Sequence, residues 1–332
     1  MKSKLLILLL LTLILGVCNL FWGTEHIPAE HVLRILRDGD RSNMPYYFIV
    51  MQHRLPQALT AALTGASLGV GGLLLQTAFR NPLAGPSILG IDSGSNLGVA
   101  VVMLLLGGSV TMGNLTMSGY LLVIVAAMLG AWLIMILLLT FVRVVRNQVM
   151  LLITGIMISY VAGSLITLLS SRASEQGIVS YISWGMGSFI GVTMERLPLY
   201  ASLCGAGLLM AMLMAKPLDA LLLGDNYARN LGFSIRRTRT QLLLATGLLT
   251  ATTTAFCGPI TFIGLAVPHL TRLVTGACNH RFLLPATMLT GASLMLLCNL
   301  VCCLPAPQIL HINVITPIIG APVVIWVIIR KR

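Results

Sequence analysis

About ten long runs of apolar residues divide this sequence, and most polar or charged residues stand in the short stretches between them. A helix needs about 20 mostly apolar residues to cross the hydrocarbon layer of a bilayer, and most of the runs approach that length. Only 9% of the residues are charged, against 57% that are hydrophobic, and the mean hydropathy is +0.94. This balance excludes a water-soluble fold, because too few polar side chains are present to cover a core.

The runs predict an all-α integral membrane protein with about ten transmembrane helices, formed by a single domain over residues 1–332. The first run follows Lys2 and Lys4, as in a cleaved signal peptide, but its apolar character continues through Trp22, which favours a retained helix. The predicted spans are 5–22, 55–79, 90–106, 118–142, 149–170, 197–215, 241–257, 260–274, 282–303 and 312–329.

The positions of lysine and arginine predict the orientation of these spans, because loops on the inner side of a membrane carry an excess of both. With the amino terminus inside, an even number of spans puts both termini in the cytoplasm. The inner basic residues are then Lys2, Lys4, Arg80, Arg143, Arg146, Lys216, Arg229, Arg236, Arg237, Arg239, Arg272, Arg281, Arg330, Lys331 and Arg332. The outer ones are Arg34, Arg37, Arg41, Arg54, Arg172 and Arg196. The net charge of +12 is thereby explained without nucleic-acid binding.

Charged groups within membrane spans are typical of ion-coupled carriers, because such groups bind and release the coupling ion. The nine acidic residues here are all predicted to lie in loops or at span ends. This argues against an ion-coupled secondary transporter and against a membrane enzyme built on paired carboxylates. The sequence contains no G-x-x-x-x-G-K-[ST] phosphate-binding loop, so uphill transport would need an ATPase from a partner. The seven cysteines show no metal-ligand spacing, and we expect no metal site.

The longest predicted inner connection, residues 216–240, combines several leucines with charged residues. Its pattern indicates a short helix, a turn at Gly224 and a second short helix, with Asp219 and Asp225 among its charges. An ordinary solvated loop would contain fewer apolar residues. We therefore expect a paired helical element that fits a groove on a soluble protein, through which energy from a partner enters.

Four stretches of the sequence resemble a known family. They are the second span and its following loop at 54–98, LLLGDNYARNLG at 221–232, GPITFIGLAVPHLTRLVTG at 258–276 and TPIIGAPVVIWVI at 316–328. The matches are ordered along almost the whole chain, and strings such as RNPLA and GPITFIGL are long and unusual. The sequence resembles the FecCD-type permeases, the membrane subunits of bacterial ATP-binding-cassette importers for iron-siderophores, haem and cobalamin.

The resemblance implies the type II importer architecture, with ten transmembrane helices in each permease subunit. A second copy of the chain, two ATPase subunits below and a substrate-binding protein above would complete the importer in the bacterial cytoplasmic (inner) membrane. ATP and magnesium would be bound by the ATPase, so no cofactor is expected in this chain. Siderophore-iron is the first expectation for the cargo because such importers are numerous, with cobalamin and haem next.

The resemblance also implies roles for two motifs. The element that matches 218–232 docks on the ATPase in the family, and residues 216–240 are called the coupling segment below. Asn81, Pro82 and Leu83, after the second span, would lie at the cytoplasmic gate with Gln148 as a second element, although spacing alone favours a plain helix stop. The candidate ATPase contacts are Leu223, Gly224, Asp225, Ala228, Leu231 and Gly232.

Ser159, Gly163 and Thr167 in the fifth span are candidates for the import path, since small and hydroxyl-bearing residues suit a wide pore with weak contacts. Hydroxyl groups that bond back to their own helix are an equal alternative on the residues alone. His269 follows Pro268 at an inner helix end without a second histidine one turn away. We therefore expect it to make a structural hydrogen bond rather than to ligate metal or haem.

Three glycine pairs at G-x-x-x-G spacing predict close packing seams inside the helix bundle. They are Gly65 with Gly69, Gly94 with Gly98, and Gly187 with Gly191.

On the outer face, family members place basic residues that meet acidic residues of the binding protein. This sequence keeps Arg54, but Gln57 and Cys303 stand where the family commonly has further basic residues. Arg34, Arg37 and Arg41 in the first outer loop are candidates to compensate, although Asp38 and Asp40 lie beside them. We predict docking through polar and apolar contacts that is less sensitive to salt than charge-steered docking.

Overall fold

The computed structural model describes residues 2–105, 110–112, 115–117, 119–144, 148–276, 279–303 and 310–330. These residues are almost entirely helical, and each of the ten predicted spans contains a helix. The α-helices are α1 (Lys2–Phe21), α2 (Ala29–Asp38), α3 (Met44–Phe48), α4 (Leu55–Ala78), α5 (Ile91–Ala100), α6 (Gly119–Val144), α7 (Gln148–Ser170), α8 (Glu175–Gly185), α9 (Leu197–Leu213), α10 (Ala215–Leu222), α11 (Asp225–Asn230), α12 (Ile235–Cys257), α13 (Ile263–Thr275), α14 (His280–Cys303) and α15 (Ile312–Arg330).

The described helices include six that are long and apolar enough to cross a membrane. These six involve α1, α4, α6, α7, α12 and α14, and a seventh span results if α9 and α10, bent by 51° at their junction, are taken together. α15 and the stretch Ile91–Leu105, in which α5 continues as a π-helix, are apolar but shorter. The predicted all-α membrane fold is therefore confirmed.

Several short elements are additional to the predicted spans. α2 and α3 lie in the first connection, where a π-helix (Ile49–Arg54) leads α3 directly into α4. A 3-10 helix (Pro86–Leu89) precedes α5, and α8 follows α7. Two three-residue strands, β1 (Val110–Met112) and β2 (Leu115–Met117), pair antiparallel. Such elements are too short or too polar to produce an apolar run of membrane length.

α4 lies at the centre of the bundle and packs against α14, α12, α13 and α9. Its inner stretch of three consecutive leucines, Leu73–Leu75, is fully buried because neighbours cover the helix on every side. Close approach along α4 depends on glycine: a Cβ on Gly65 would lie 2.0 Å from the Gly291 carbonyl oxygen of α14. The positions of α4 and α14 are thus fixed by a seam that admits no side chain.

The predicted glycine seams are confirmed for two of the three pairs. Gly65 meets α14 as described, and Gly94 of α5 would place a Cβ 2.4 Å from the Gly130 carbonyl oxygen of α6. The third pair forms no helix seam, because Gly187 and Gly191 lie in the turns after α8. Gly187 there adopts φ +73°, a backbone conformation that side chains with a Cβ disfavour.

Candidate functional site

The chain turns sharply where α4 ends. Arg80 adopts the left-handed φ of +45°, and Pro82 two residues later cannot continue a helix. The Asn81 side-chain oxygen accepts a hydrogen bond from the Leu83 N–H at 2.9 Å, and the Asn81 carbonyl accepts one from the Ala84 N–H at 3.1 Å. These bonds define a tight turn over residues 81–84, called the NPLA turn below. Its Leu83 side chain is exposed, while Ala84 is buried.

α13 holds the NPLA turn from one side. The buried His269 ring lies with Nε2 2.9 Å from the Pro82 carbonyl oxygen, so Nε2 carries the proton and donates. Gln76 in the last part of α4 donates to the Leu265 carbonyl at 3.2 Å and accepts from Arg272 Nη1 at 2.8 Å. His269 therefore makes the structural hydrogen bond that its sequence context predicts. Among the described residues, no group of three His, Cys, Asp or Glu side chains is placed to hold a metal ion.

The coupling segment folds as the sequence predicts, into two short helices separated by a glycine turn. α10 ends at Leu222, Gly224 adopts φ +115°, and α11 begins at Asp225. A second glycine, Gly232, follows α11 at φ +85°. Since side chains with a Cβ rarely adopt such φ values, the two predicted glycines serve to shape the segment.

The side chains of the coupling segment divide into an outward and an inward set. Leu223, Tyr227 and Leu231 are 65%, 50% and 53% exposed, which is unusual for large apolar residues so close together. Leu221 and Ala228 are instead buried against the bundle. Of the six predicted ATPase contacts, only Leu223 and Leu231 therefore have a large apolar side chain exposed at the surface.

Asp225 is turned inward and joins the coupling segment to the end of α4. Its Oδ1 lies 2.6 Å from Arg80 Nη2, and its Oδ2 lies 2.8 Å from Arg239 Nη2 on α12. Arg80 Nε also donates to the Leu221 carbonyl at 3.2 Å. Both carboxylate oxygens thus accept hydrogen bonds within the chain, and a contact between Asp225 and an ATPase stays a prediction.

A second carboxylate of the coupling segment is also engaged internally. Asp219 Oδ1 accepts hydrogen bonds from the His280 backbone N–H at 2.9 Å and from His280 Nδ1 at 2.7 Å. The ring of His280 is fully buried, and its Nε2 lies 3.0 Å from Thr77 Oγ1 of α4. With Nδ1 carrying a proton toward the carboxylate, a neutral ring accepts at Nε2 from the threonine hydroxyl.

The predicted path residues lie on α7, where their hydroxyl groups bond back to the helix. Ser159 Oγ donates to the Gly155 carbonyl at 3.0 Å, and Thr167 Oγ1 donates to the Gly163 carbonyl at 3.0 Å. Ser159 is half-buried beside the turn before α5, whereas Gly163 and Thr167 are exposed. Gln148 is the first residue of α7, and its side chain lies outside the described part of the structure.

Arg54, a predicted docking residue, is buried at the end of α1. Its Nη1 donates to the carbonyls of Leu20 and Phe21 at 2.9 and 3.0 Å, and its Nη2 donates to the carbonyl of Glu25. The guanidinium group therefore satisfies two carbonyls at the end of α1, which the helix leaves without partners, and one in the following loop. Together with Gln57 it lines a cavity of about 670 Å³ at this end of the bundle.

The other two predicted docking residues are exposed but lie beside acids. Arg34 pairs with Glu30 one turn earlier on α2, and Arg37 Nε lies 3.8 Å from Asp38 Oδ1. In the following loop, hydrogen bonds from the backbone N–H and the hydroxyl of Ser42 lower the pKa of Asp40, which keeps another negative charge close by. The local positive field is correspondingly weak.

Asp92 lies at a span end, as the sequence predicts, in the first turn of α5. Its burial within the bundle was not expected. Its Oδ1 accepts a hydrogen bond from Thr254 Oγ1 of α12 at 3.0 Å, and it lines a cavity of about 320 Å³. A buried carboxylate inside a membrane bundle is costly and is a recognised marker of function.

Sequence reasoning missed the internal partners of the coupling segment. Arg239 and His280 contact acids 14 and 61 residues away in sequence, and Thr77 contacts His280 203 residues away. No local pattern reports such pairs. Two of the missed residues carried a signal, since Arg80 directly precedes the NPLA motif and Tyr227 lies inside the coupling motif.

Known proteins resemble this chain over nearly its whole length. The model of the FecCD transport family matches residues 9–330. The chain belongs to the FecCD transport family. It is 34% identical over 328 residues to the vitamin B12 import system permease protein BtuC of Klebsiella pneumoniae, covering 98% of this chain and 92% of that one. It is 35% identical over 334 residues to the Fe(3+) dicitrate transport system permease protein FecD of Escherichia coli, covering 99% and 100%.

Solved structures extend the likeness to the whole fold. A metal-chelate type ABC transporter in an inward-facing conformation superposes with a TM-score of 0.87 at 28% identity, over 99% of this chain and 100% of that one. PsaBC of Streptococcus pneumoniae, at a TM-score of 0.56 and 14% identity over 84% and 92% of the two chains, shares the fold.

Proposed function

We propose that this protein is the permease subunit of an ATP-binding-cassette importer that moves cobalamin or an iron chelate across the bacterial cytoplasmic membrane. The observation that carries the proposal is the coupling segment. It presents three large apolar side chains, Leu223, Tyr227 and Leu231, outward on a pair of short helices. The inward side of the same pair is bonded to the end of α4 beside the NPLA turn.

Family membership supports the same role, because the relatives BtuC and FecD are named as permeases for vitamin B12 and Fe(3+) dicitrate. Both cargoes are bulky and metal-containing. Exposed Gly163 and Thr167 on α7 suit the passage of such a cargo, since small and hydroxyl-bearing surfaces bind it weakly enough to release it.

The proposed assembly contains two copies of this chain, two ATPase subunits and a substrate-binding protein. Both termini lie in the cytoplasm, so that the coupling segment and the NPLA turn face the ATPase. Arg34 and Arg37 lie at the opposite face with the binding protein. ATP and magnesium act in the ATPase, and this chain contributes no catalytic residue.

The test is uptake into liposomes that hold this protein with its ATPase and receive its binding protein on the outside. Labelled cobalamin, ferric dicitrate, a ferric siderophore and haem are offered in parallel, with and without internal ATP. The proposal expects ATP-dependent uptake of one of these compounds. Uptake that needs an ion gradient and ignores ATP would contradict it.

Asp92 favours one alternative, an ion-coupled secondary carrier, because it is a buried acid with a hydroxyl partner inside the bundle. Asp92→Asn separates the two functions. The amide oxygen still accepts from Thr254, so an ATP-driven importer keeps its uptake within about twofold of wild type. A carrier that loads its coupling ion on Asp92 loses gradient-driven uptake altogether.

A further inference from the structure

Both acids of the coupling segment contact the end of α4 or the residues just after it, through different partners. Asp225, at the start of α11, binds Arg80 directly at 2.6 Å. Asp219, in α10, binds His280 at 2.7 Å, and the opposite nitrogen of that ring lies 3.0 Å from Thr77. Thr77 lies in the last turn of α4, and Arg80 follows two residues after the helix ends, immediately before the NPLA turn.

We propose that Asp219 and Asp225 are positioning residues that fasten the coupling segment to the end of α4, so that a displacement of the segment by an ATPase displaces the NPLA turn. This inference rests on the proposed function, because it needs an ATPase that moves the segment. It also assigns Asp225 to internal transmission, whereas the family resemblance alone implies an ATPase contact.

The two acids lie on opposite sides of the glycine turn that separates the two helices of the coupling segment. Gly224, at φ +115°, separates α10 from α11 and has no neighbouring atoms within 4 Å of an added Cβ. Leu221 and Ala228 pack the two helices against the bundle, and each helix has in addition its own side-chain link on its side of this turn. Asp219 fastens α10, and Asp225 fastens α11, so both helices follow α4.

The surroundings of each contact keep its geometry fixed, so that motion of the coupling segment is transmitted through it. Asp225 is bridged between Arg80 and Arg239, and its side chain is only 33% exposed, so two guanidinium groups fix its orientation. Asp219 binds a ring that is fully buried and that cannot move without disturbing Thr77. A single exposed ion pair restrains its two side chains only weakly. A carboxylate bound by two arginines, or one bound to a buried ring, is restrained more strongly.

On its other side, the NPLA turn is bonded to α13. His269 of α13 donates from Nε2 to the Pro82 carbonyl at 2.9 Å. A displacement of Arg80 therefore displaces the NPLA turn, and through the hydrogen bond between Pro82 and His269 it also displaces α13. Leu83, which is exposed at the tip of the turn, moves with both.

The experiment compares Asp225→Ala, Arg80→Ala and the double variant in the reconstituted importer, with cobalamin and ferric dicitrate as probes. Three quantities are measured: co-purification of the ATPase, the rate of ATP hydrolysis, and cargo imported per ATP hydrolysed. We expect the ATPase to remain bound and active while cargo per ATP falls by about five- to a hundredfold, the usual range of coupling between sites. The double variant should import no less cargo per ATP than the more impaired single variant, because the Asp225–Arg80 contact is already lost in each of them.

The second link is tested in the same way with Asp219→Asn and His280→Ala, which should also lower cargo per ATP without releasing the ATPase. The matched control is Glu175→Ala, which removes an exposed carboxylate on α8, and it should leave every quantity unchanged. Asp225→Glu keeps the charge and should recover part of the coupling. Recovery in this conservative variant would show that the loss in Asp225→Ala comes from the missing contact and not from misfolding.

Loss of ATPase binding with unchanged cargo per ATP would overturn the inference and make Asp225 an ATPase contact. Additive losses in the double variant would also overturn it, since the two residues would then act independently. Failure of the wild-type chain to import any probe with ATP is a different result, which rejects the proposed function instead.

Discussion

Arg54 is buried where α1 ends, with only 6% of its surface exposed, and its guanidinium group serves three backbone carbonyls. Replacing it by methionine keeps most of the volume but leaves those carbonyls without a donor. We expect Arg54→Met to lower the free energy of unfolding by about 2 kcal/mol, the usual effect of removing a charged hydrogen-bond partner. The thermal unfolding midpoint of the purified protein in detergent measures this.

The control for Arg54 is Arg37→Met, because the Arg37 side chain is 88% exposed and lies in the same outer region. Its unfolding free energy should change by less than about 0.5 kcal/mol. If instead Arg54→Met leaves the midpoint unchanged and weakens binding-protein docking, then Arg54 is a docking residue, as the family resemblance implies.

At the scale of elements, the seam between α4 and α14 depends on two glycines that touch. A Cβ at Gly65 would lie 2.0 Å from the Gly291 carbonyl oxygen, a distance that requires backbone movement. We expect Gly65→Ala to destabilise the protein by about 1–3 kcal/mol through overpacking. The matched control is Gly205→Ala in α9, where an added Cβ meets nothing within 4 Å and the better helix former should be neutral or stabilising. Equal effects of the two substitutions would argue against the seam.

The membrane helices were predictable from the sequence because each one needs a long apolar run, which can be seen in a short stretch of sequence without knowing the rest of the fold. The coupling segment was predictable for the same reason, since its glycine turn and leucines lie within 25 residues of each other. The internal partners of Asp219 and Asp225 were not, because they stand up to 145 residues away and depend on how helices are arranged. The burial of Asp92 was not predictable either, because burial at a helix start depends on the surrounding bundle.

At the scale of the whole molecule, the outward face of the coupling segment predicts how the ATPase is held. Leu223 and Tyr227 are exposed and close in sequence, and a few side chains buried at the centre of an interface, tyrosine often among them, supply most of its affinity. We expect Leu223→Ala and Tyr227→Ala each to weaken ATPase association by about tenfold or more. The affinity of the purified subunits in detergent measures this effect.

Leu209→Ala is the control for that measurement, because Leu209 is 62% exposed on α9 and lies outside the coupling segment. Its substitution should leave ATPase affinity unchanged. If all three variants bind the ATPase as wild type does, the partner docks elsewhere and the coupling segment has another role.

The opposite end of the molecule predicts a weakly salt-dependent contact with the binding protein. Arg54 is buried and donates to backbone carbonyls, Arg34 is paired with Glu30, and Arg37 lies beside Asp38. This end of the molecule therefore exposes little uncompensated positive charge. Screening by salt acts mainly on exposed, uncompensated charges. We therefore expect the affinity for the binding protein to change by less than about threefold between about 0.05 M and about 0.5 M salt. A fall of more than about tenfold over that range would mean that exposed arginines steer the docking, because only long-range charge attraction is screened so strongly.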